Sequence, residues 1–250
     1  MKVGIFDSGI GGITVLKTAL ELLPQVEYIY YSDNLHVPYG IKPKEEVVGY
    51  VKEVVSFLIE QGAEAILIAC NTATSVAVEE LRRMYDLPII GMEPAVKPAI
   101  VHNEKGKVLV TATPLYLKEE RYQHLIEHVD KQHRATPLPL QELVLFAETK
   151  QFDEELLINY FKDKLKPFNL DEYVAIVLGC THFVYFKKYL KKVLPKHMKI
   201  YDGNEGTVRH LKECLNITES NNDVTPKVSF YYSGKLCKDN EILESYLRLV

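Results

Sequence analysis

The strongest constraint on the fold is the alternation of short apolar runs with longer helical patterns along the whole chain. A strand followed by a helix and another strand favours parallel pairing, so the sequence predicts an α/β fold with mostly parallel sheets flanked by helices. The predicted strands are Lys2–Phe6, Glu27–Tyr31, Ala65–Ala69, Pro88–Gly91, Lys107–Val110, Val174–Leu178, Lys199–Tyr201 and Val228–Tyr232. The predicted helices are Gly12–Leu23, Lys44–Gln61, Ser75–Tyr85, Leu115–Val129, Asp153–Lys164, Phe183–Val193, Glu205–Cys214 and Asn240–Leu249.

Two pairs of segments repeat within the chain. Ile66–Thr72 (ILIACNT) and Ile176–Thr181 (IVLGCT) are both apolar strands that end in a small residue and a cysteine before a helix. Earlier in each half, Val3–Ser8 and Val108–Thr113 are strands that end in small polar groups, and the two repeats have about the same offset. A repeat of this kind predicts two similar domains related by pseudo-symmetry.

The repeat also suggests how the chain is divided between the two domains. Residues 1–94 together with 207–250 are expected to form the first domain, and residues 95–206 the second. Ligands in parallel α/β sheets bind at the carboxyl ends of strands. The active site is therefore expected in the cleft between the domains.

Composition excludes several classes of partner. The formal net charge is −4, and the charged residues are scattered along the sequence. No basic patch is therefore expected, and neither a nucleic acid nor an anionic membrane is predicted as a partner. The sequence has no run of about 18 apolar residues, so no membrane helix is predicted. A strand pattern begins almost at Met1, which leaves no space for a signal peptide, and we expect a cytoplasmic protein.

The four cysteines divide into two groups. Cys70 and Cys180 each follow a buried strand and precede a helix, whose free N–H groups lower the pKa of a thiol and attract carboxylates. Cys214 and Cys237 lack this context and are expected to be packing residues. A metal site would need a second Cys/His pair beside Cys180 and His182, so no metal is predicted.

Two thiols on opposite sides of one cleft suit the inversion of a carbon acid. One thiolate removes the proton, and the other thiol delivers a proton to the opposite face. A nucleophilic mechanism would need one cysteine, and a redox pair is the remaining alternative, although such pairs are usually CxxC.

Polar residues beside these cysteines have more than one interpretation each. The loop Asp7–Gly12 (DSGIGG) follows the first strand, and Asp7 is either a helix cap or an acidic partner of a catalytic group or of a substrate ammonium. The loop is not a dinucleotide fingerprint, because Thr14 stands where the third glycine would be. His182 is either structural, a proton partner of Cys180 or a cation that favours its thiolate.

Three helix-start residues and one turn complete the candidate set. Asn71, Thr72 and Thr181 either cap helices or donate hydrogen bonds to a carboxylate. The segment Pro38–Gly40 (PYG) follows the second strand and is by itself a turn signal.

Four motifs in this order and spacing resemble the glutamate racemases over nearly the whole chain. They are DSGIGG at 7–12, PYG at 38–40, ACNTA at 69–73 and GCTHF at 179–183. The resemblance implies two pseudo-symmetric α/β domains, a two-base reaction without a cofactor, and supply of D-glutamate for peptidoglycan. It implies that Cys70 and Cys180 are the bases and that Asp7 and His182 assist them. The implied substrate-binding residues are Ser8, Pro38, Tyr39, Gly40, Asn71, Thr72, Thr113 and Thr181.

The sequence departs from the family pattern at four positions. Val184 replaces a proline, His36 an arginine and Tyr116 a threonine, and the family's mid-chain glutamate is matched only loosely, by Glu142. As partners we expect glutamate as the small-molecule substrate and a second copy of the chain in a homodimer.

Three alternatives remain open beside a glutamate racemase. The first is an aspartate racemase of the same family, whose second cysteine motif typically reads GCTE, whereas His182 stands here. The second is a non-catalytic carboxylate-binding protein on the same fold, which would be expected to lose a cysteine. The third is a pyridoxal enzyme, although no lysine lies at a strand end within the motifs.

Overall fold

Two sheets form the centre of the computed structural model, which describes residues 1–103, 105–218, 225–239 and 241–250. The strands of the first sheet are β1 (Lys2–Asp7), β2 (Glu27–Ser32), β3 (Ala65–Ile68), β4 (Ile89–Gly91), β9 (Lys227–Tyr232) and β10 (Lys235–Leu236), in the order β10-β9-β2-β1-β3-β4. The strands of the second are β5 (Lys107–Ala112), β6 (Ala135–Pro139), β7 (Tyr173–Leu178) and β8 (Lys199–Asp202), in the order β6-β5-β7-β8. Apart from the antiparallel pair β9–β10, all pairings are parallel.

The same strand order occurs twice. The series β2-β1-β3-β4 in the first sheet corresponds to β6-β5-β7-β8 in the second. The corresponding strands also come in the same order along the chain, so the repeated sequence segments fall on equivalent strands. The predicted fold class, with parallel sheets flanked by helices in two similar units, is confirmed. After the second sheet the chain returns to the first, where β9 pairs with β2.

Helices cover the faces of both sheets. They are α1 (Ile13–Leu22), α2 (Lys44–Glu60), α3 (Asn71–Met84), α4 (Val96–Val101), α5 (Pro114–Lys118), α6 (Glu120–Val129), α7 (Glu142–Glu148), α8 (Glu154–Leu165), α9 (Lys187–Val193), α10 (Asn204–Cys214) and α11 (Glu241–Leu247). In α2 the buried residues Val47, Val51, Val54, Val55 and Leu58 have helical spacing and form one apolar stripe, and two glutamates stand in its first turn. No helix in the described ranges is long and apolar enough to cross a membrane.

The sequence patterns miss or misplace several elements. The predicted helix Leu115–Val129 is two helices, α5 and α6, because the backbone at Glu119 is extended. The start of the predicted helix Phe183–Val193 lies in a 3₁₀ segment, Thr181–Phe186, which precedes α9. Asn240, the first residue of the predicted last helix, lies outside the described residues.

The remaining missed elements are short or unusual in composition. Strand β6 contains two prolines, which a strand tolerates at the edge of a sheet, where β6 lies. Helices α4 and α7 have six and seven residues, too few to show a helical period. Strand β10 has only two residues.

Candidate active site

Equivalent strands of the two sheets end at one small cavity of about 10 Å³, roughly the space of one water molecule. Cys70 follows β3, and Cys180 follows the equivalent strand β7. The lining residues are Ser8, Pro38, Tyr39, Gly40, Cys70, Asn71, Thr72, Thr113, Val144, Cys180, Thr181 and His182. The structure thus brings together every residue that the sequence analysis assigned to the site except Asp7, which lies directly behind this wall.

Asp7 joins the two halves of the site. One carboxylate oxygen, Oδ1, accepts the backbone N–H of Ser8 at 2.7 Å, and the other, Oδ2, accepts the hydroxyl of Thr181 at 2.9 Å. Its side chain is completely buried. Burial raises the pKa of the Asp7 carboxyl above its ordinary value, although the charge of His182 and the bonds from Thr181 and Ser8 oppose this shift.

Cys70 lies at the N-terminus of α3 and is buried. Its Sγ accepts the backbone N–H of Ala73 at 3.4 Å and lies 3.7 Å from Oγ of Ser8. Burial and the nearby carboxyl of Asp7 raise the pKa of the Cys70 thiol well above its usual range, and the bonds from Ala73 and Ser8 offset only part of this. These surroundings favour the protonated form of the Cys70 thiol.

Cys180 has an imidazole beside it instead of a carboxyl. Its Sγ lies 3.7 Å from Nδ1 of His182, and Nε2 of the same ring lies 2.7 Å from Oε1 of Glu148. Burial opposes a charge on the ring, but the bonds to Cys180 and Glu148 outweigh it, and the pKa of His182 is raised well above its usual value. A positive charge at this distance stabilises negative charge on the sulfur.

Glu148 is a partner of His182 that sequence reasoning missed. Besides the imidazole, it accepts the backbone N–H of Ile10 at 2.9 Å and Nδ2 of Asn34 at 2.9 Å. Glu142, which matches the family's mid-chain glutamate only loosely, lies on the surface, paired with Lys164 at 2.7 Å. No signal in the single sequence distinguishes these two glutamates, because both belong to the short helix α7.

Two glycines allow the halves of the protein to approach this closely. A Cβ at Gly11 would collide with the ring of His182 and would lie 2.5 Å from Oγ1 of Thr181. A Cβ at Gly40 would collide with Oε1 of Gln141 and would lie 2.5 Å from Cβ of Thr113. Gly11 in the motif DSGIGG and Gly40 in PYG therefore allow close contact across the cleft.

Further hydrogen bonds cross the cleft. The hydroxyls of Thr72 and Thr113 lie 2.9 Å apart, and Nζ of Lys44 donates to Oε2 of Glu119 at 2.6 Å. Together with the bonds made by Asp7 and Glu148, they hold the cleft closed.

The positions where the sequence departs from the family pattern lie around the cavity without lining it. His36 binds Asp33 at 2.9 Å and stacks on Tyr50 with ring centroids 3.9 Å apart. Asp33 in turn accepts the hydroxyl of Tyr39 at 2.6 Å, so His36 supports a lining residue. The buried ring of Tyr116 packs on Tyr122, with centroids 5.3 Å apart. Val184 packs against the core as a partly buried side chain.

Comparison with known proteins identifies the family. A family model described as Asp/Glu/hydantoin racemase matches residues 14–211. The chain belongs to this racemase family. A glutamate racemase of Halothermothrix orenii is 51% identical over 252 residues, covering 100% of this chain and 99% of the relative.

Solved structures of this family share the fold. Escherichia coli glutamate racemase, crystallised with L-glutamate and the activator UDP-MurNAc-ala, matches with a TM-score of 0.85 and 30% identity, covering 99% of this chain and 94% of that chain. Picrophilus torridus aspartate racemase matches with a TM-score of 0.57 and 18% identity over 86% of this chain and 94% of that chain, a likeness of fold alone. The resemblance inferred from the four motifs is confirmed, and so is the enzyme class, a racemase.

Proposed function

We propose that this protein is a glutamate racemase that interconverts L- and D-glutamate by proton transfer between the α-carbon and two thiols. The observation that carries the proposal is the position of Cys70 and Cys180, at the ends of equivalent strands and on one closed cavity. The names of the full-length relatives support glutamate as the substrate.

The surroundings of the two sulfurs suit opposite roles at the start of a turnover on L-glutamate. Cys180, beside the imidazolium of His182, removes the α-proton as a thiolate. Cys70, held as a thiol, delivers its proton to the opposite face of the carbanion. The products are D-glutamate and an enzyme in which Cys180 carries the proton and Cys70 the charge. D-glutamate is converted by the same steps in reverse, so each thiol is an acid in one direction and a base in the other.

The polar residues around the thiols hold the two carboxylates and the ammonium of glutamate. Lysine and arginine are both missing from the cavity lining in the described part of the chain, so neutral donors bind the carboxylates. We assign this role to Ser8, Tyr39, Gly40, Asn71, Thr72, Thr113 and Thr181, next to Pro38, with Asp7 available to the ammonium. The reaction proposed here needs no cofactor and no metal.

Two serine variants test the proposal. Serine is a far weaker acid and base than cysteine, whose ordinary pKa is about 8.5, so Cys70→Ser and Cys180→Ser should abolish racemisation in both directions, followed by circular dichroism. In deuterated water, Cys70→Ser should still exchange the α-proton of L-glutamate, and Cys180→Ser that of D-glutamate.

The exposed thiol of Cys214 supplies the matched control. Cys214→Ser should racemise glutamate at the wild-type rate. Near-normal racemisation by either active-site variant, or exchange of the same enantiomer by both, would contradict the two-thiol mechanism.

The remaining parts of the proposal concern the cell. We propose that the protein acts in the cytoplasm as a homodimer and supplies D-glutamate for peptidoglycan. Sedimentation equilibrium at micromolar concentration tests the dimer, and a monomeric mass throughout would contradict it. Rescue of a D-glutamate auxotroph by the gene tests the biosynthetic role.

A further inference from the structure

Gln141 differs from the other half-buried polar residues of the protein. Both atoms of its side-chain amide, Oε1 and Nε2, are shielded from solvent and have no hydrogen-bond partner in the described part of the chain. Gln25, in contrast, leaves only Oε1 unpaired, because its Nε2 donates to the carbonyl of Thr218 at 2.9 Å. An amide shielded from water without partners is unfavourable, and an apolar side chain of the same size would avoid that cost.

The position of Gln141 explains what its amide could bind. The residue stands directly before α7 and lies against Gly40 and Thr113. A Cβ added at Gly40 would collide with both Oε1 of Gln141 and Cβ of Thr113. Gly40 and Thr113 both line the cavity, whereas Gln141 lies next to Gly40 and outside the lining.

In the described part of the chain, the hydrogen bonds of the two sulfurs do not involve Gly40 or Thr113. Within the described ranges, the hydrogen bonds that reach the two thiols involve Ser8, Ala73 and His182. The hydroxyl of Thr113 is bonded to that of Thr72 instead. This leaves Gly40 and Thr113 in the cavity lining for the side chain of a glutamate whose α-carbon lies between the thiols.

We infer that the unpaired amide of Gln141 binds the side-chain carboxylate of glutamate and makes Gln141 a specificity-determining residue. The inference rests on the proposed function. The Nε2 of Gln141 donates to the carboxylate once the side-chain amide turns so that Nε2 instead of Oε1 faces Gly40. The cavity lining has no lysine or arginine for this role in the described part of the chain. Because the contact lies away from the reacting carbon, it stabilises the bound substrate and the transition state about equally.

The test is a set of isosteric variants. In Gln141→Met, which keeps the length but not the amide, KM for both enantiomers should rise on the order of 10- to 100-fold, as expected for a lost hydrogen bond to a charged group, while kcat stays within about threefold. Gln141→Glu should raise KM further, because two carboxylates would then face each other. The preference for glutamate over aspartate should fall in both variants.

Stability distinguishes binding from a structural role. Without ligand, Gln141→Met should unfold at a Tm about 2–4 °C higher than the wild type, since the unpaired amide is gone, and saturating D-glutamate should raise its Tm less. Gln25→Met is the matched control and should leave KM, kcat and substrate preference unchanged.

The possible outcomes distinguish a failure of the proposed function from a failure of the role assigned to Gln141. Wild-type protein that does not racemise glutamate would overturn the proposed function itself. Racemisation by the wild type, with KM of Gln141→Met within twofold of it, would overturn only the role of Gln141. A lower Tm together with a reduced kcat would assign Gln141 to structure and would also overturn the inference.

Discussion

Replacement of Glu148 by glutamine tests how the neighbours of Cys180 control this thiol as a base. The carboxylate lies 2.7 Å from Nε2 of His182, and the raised pKa of this imidazole depends partly on it. In Glu148→Gln the hydrogen bond can persist, but it loses the negative charge. The variant therefore isolates the electrostatic part of the contact.

The size of the effect follows from the difference between two kinds of hydrogen bond. A bond to a charged group contributes about 1.5–3 kcal/mol and a neutral one about 0.5–1.5 kcal/mol, a difference of roughly 1–2 kcal/mol. This predicts a fall of about 5- to 30-fold in kcat/KM at neutral pH. Since enantiomers have an equilibrium constant of one, kcat/KM must fall equally for L- and D-glutamate.

The pH dependence gives a second measurement on the same variant. Glu148 favours the charged form of His182, so its removal lowers the pKa of the imidazole. The proton is then lost at lower pH, and the alkaline limb of kcat/KM should move in the same direction. Circular dichroism of both enantiomers across the pH range measures the rates and the limb together.

Glu142→Gln is the matched control on the same helix. Glu142 lies on the surface and pairs with Lys164, a contact of little energetic weight. We expect kcat/KM to stay within twofold of the wild type and the alkaline limb of its pH profile to stay in place. If Glu148→Gln behaved like this control, the carboxylate would not govern the charge of His182, and the assignment of the missed residue would be wrong.

Three further predictions concern the substrate, the cofactor and the source of the delivered proton. Turnover of glutamate should exceed that of aspartate by at least about tenfold in kcat/KM, because one methylene is worth roughly 1–3 kcal/mol; equal values would favour an aspartate or mixed-specificity enzyme. Protein dialysed against a metal chelator and freed of pyridoxal phosphate should keep full activity, and restoration of lost activity by either addition would count against the two-thiol reaction. In deuterated water the product enantiomer should carry deuterium at its α-carbon, because the thiol that delivers the proton exchanges with solvent; product that keeps the α-proton of the substrate would refute the two-thiol reaction.

The sequence predicted the parts of the fold that depend on local pattern. Strands β3 and β7 are almost wholly buried, so each is a continuous apolar run, and the cysteines that follow them stood out. The edge strand β6 carries prolines, and α7 is too short for a periodic signal. The family and the fold class are confirmed, whereas the domain boundaries and the residue roles stay predictions.

The sequence predicts only those site residues that belong to recognisable motifs. Residues such as Tyr39 and Thr181 were found because they stand in short motifs next to strands. Glu148 and Gln141 enter the site through packing of one half of the protein on the other. Such contacts join residues far apart in the sequence, and their partners depend on how the two sheets are placed, which no local pattern contains.

The closed cavity has a consequence for affinity. Glutamate cannot occupy about 10 Å³, so binding requires the halves to separate. Separation breaks the bonds of Thr181 to Asp7 and of Thr72 to Thr113. The apparent dissociation constant is the intrinsic one divided by the fraction of molecules that stand open. The more stable these contacts between the halves are, the smaller is the open fraction and the weaker is the apparent binding of glutamate. An inhibitor therefore gains affinity by replacing, from one rigid scaffold, the hydrogen bonds that the two halves form with each other.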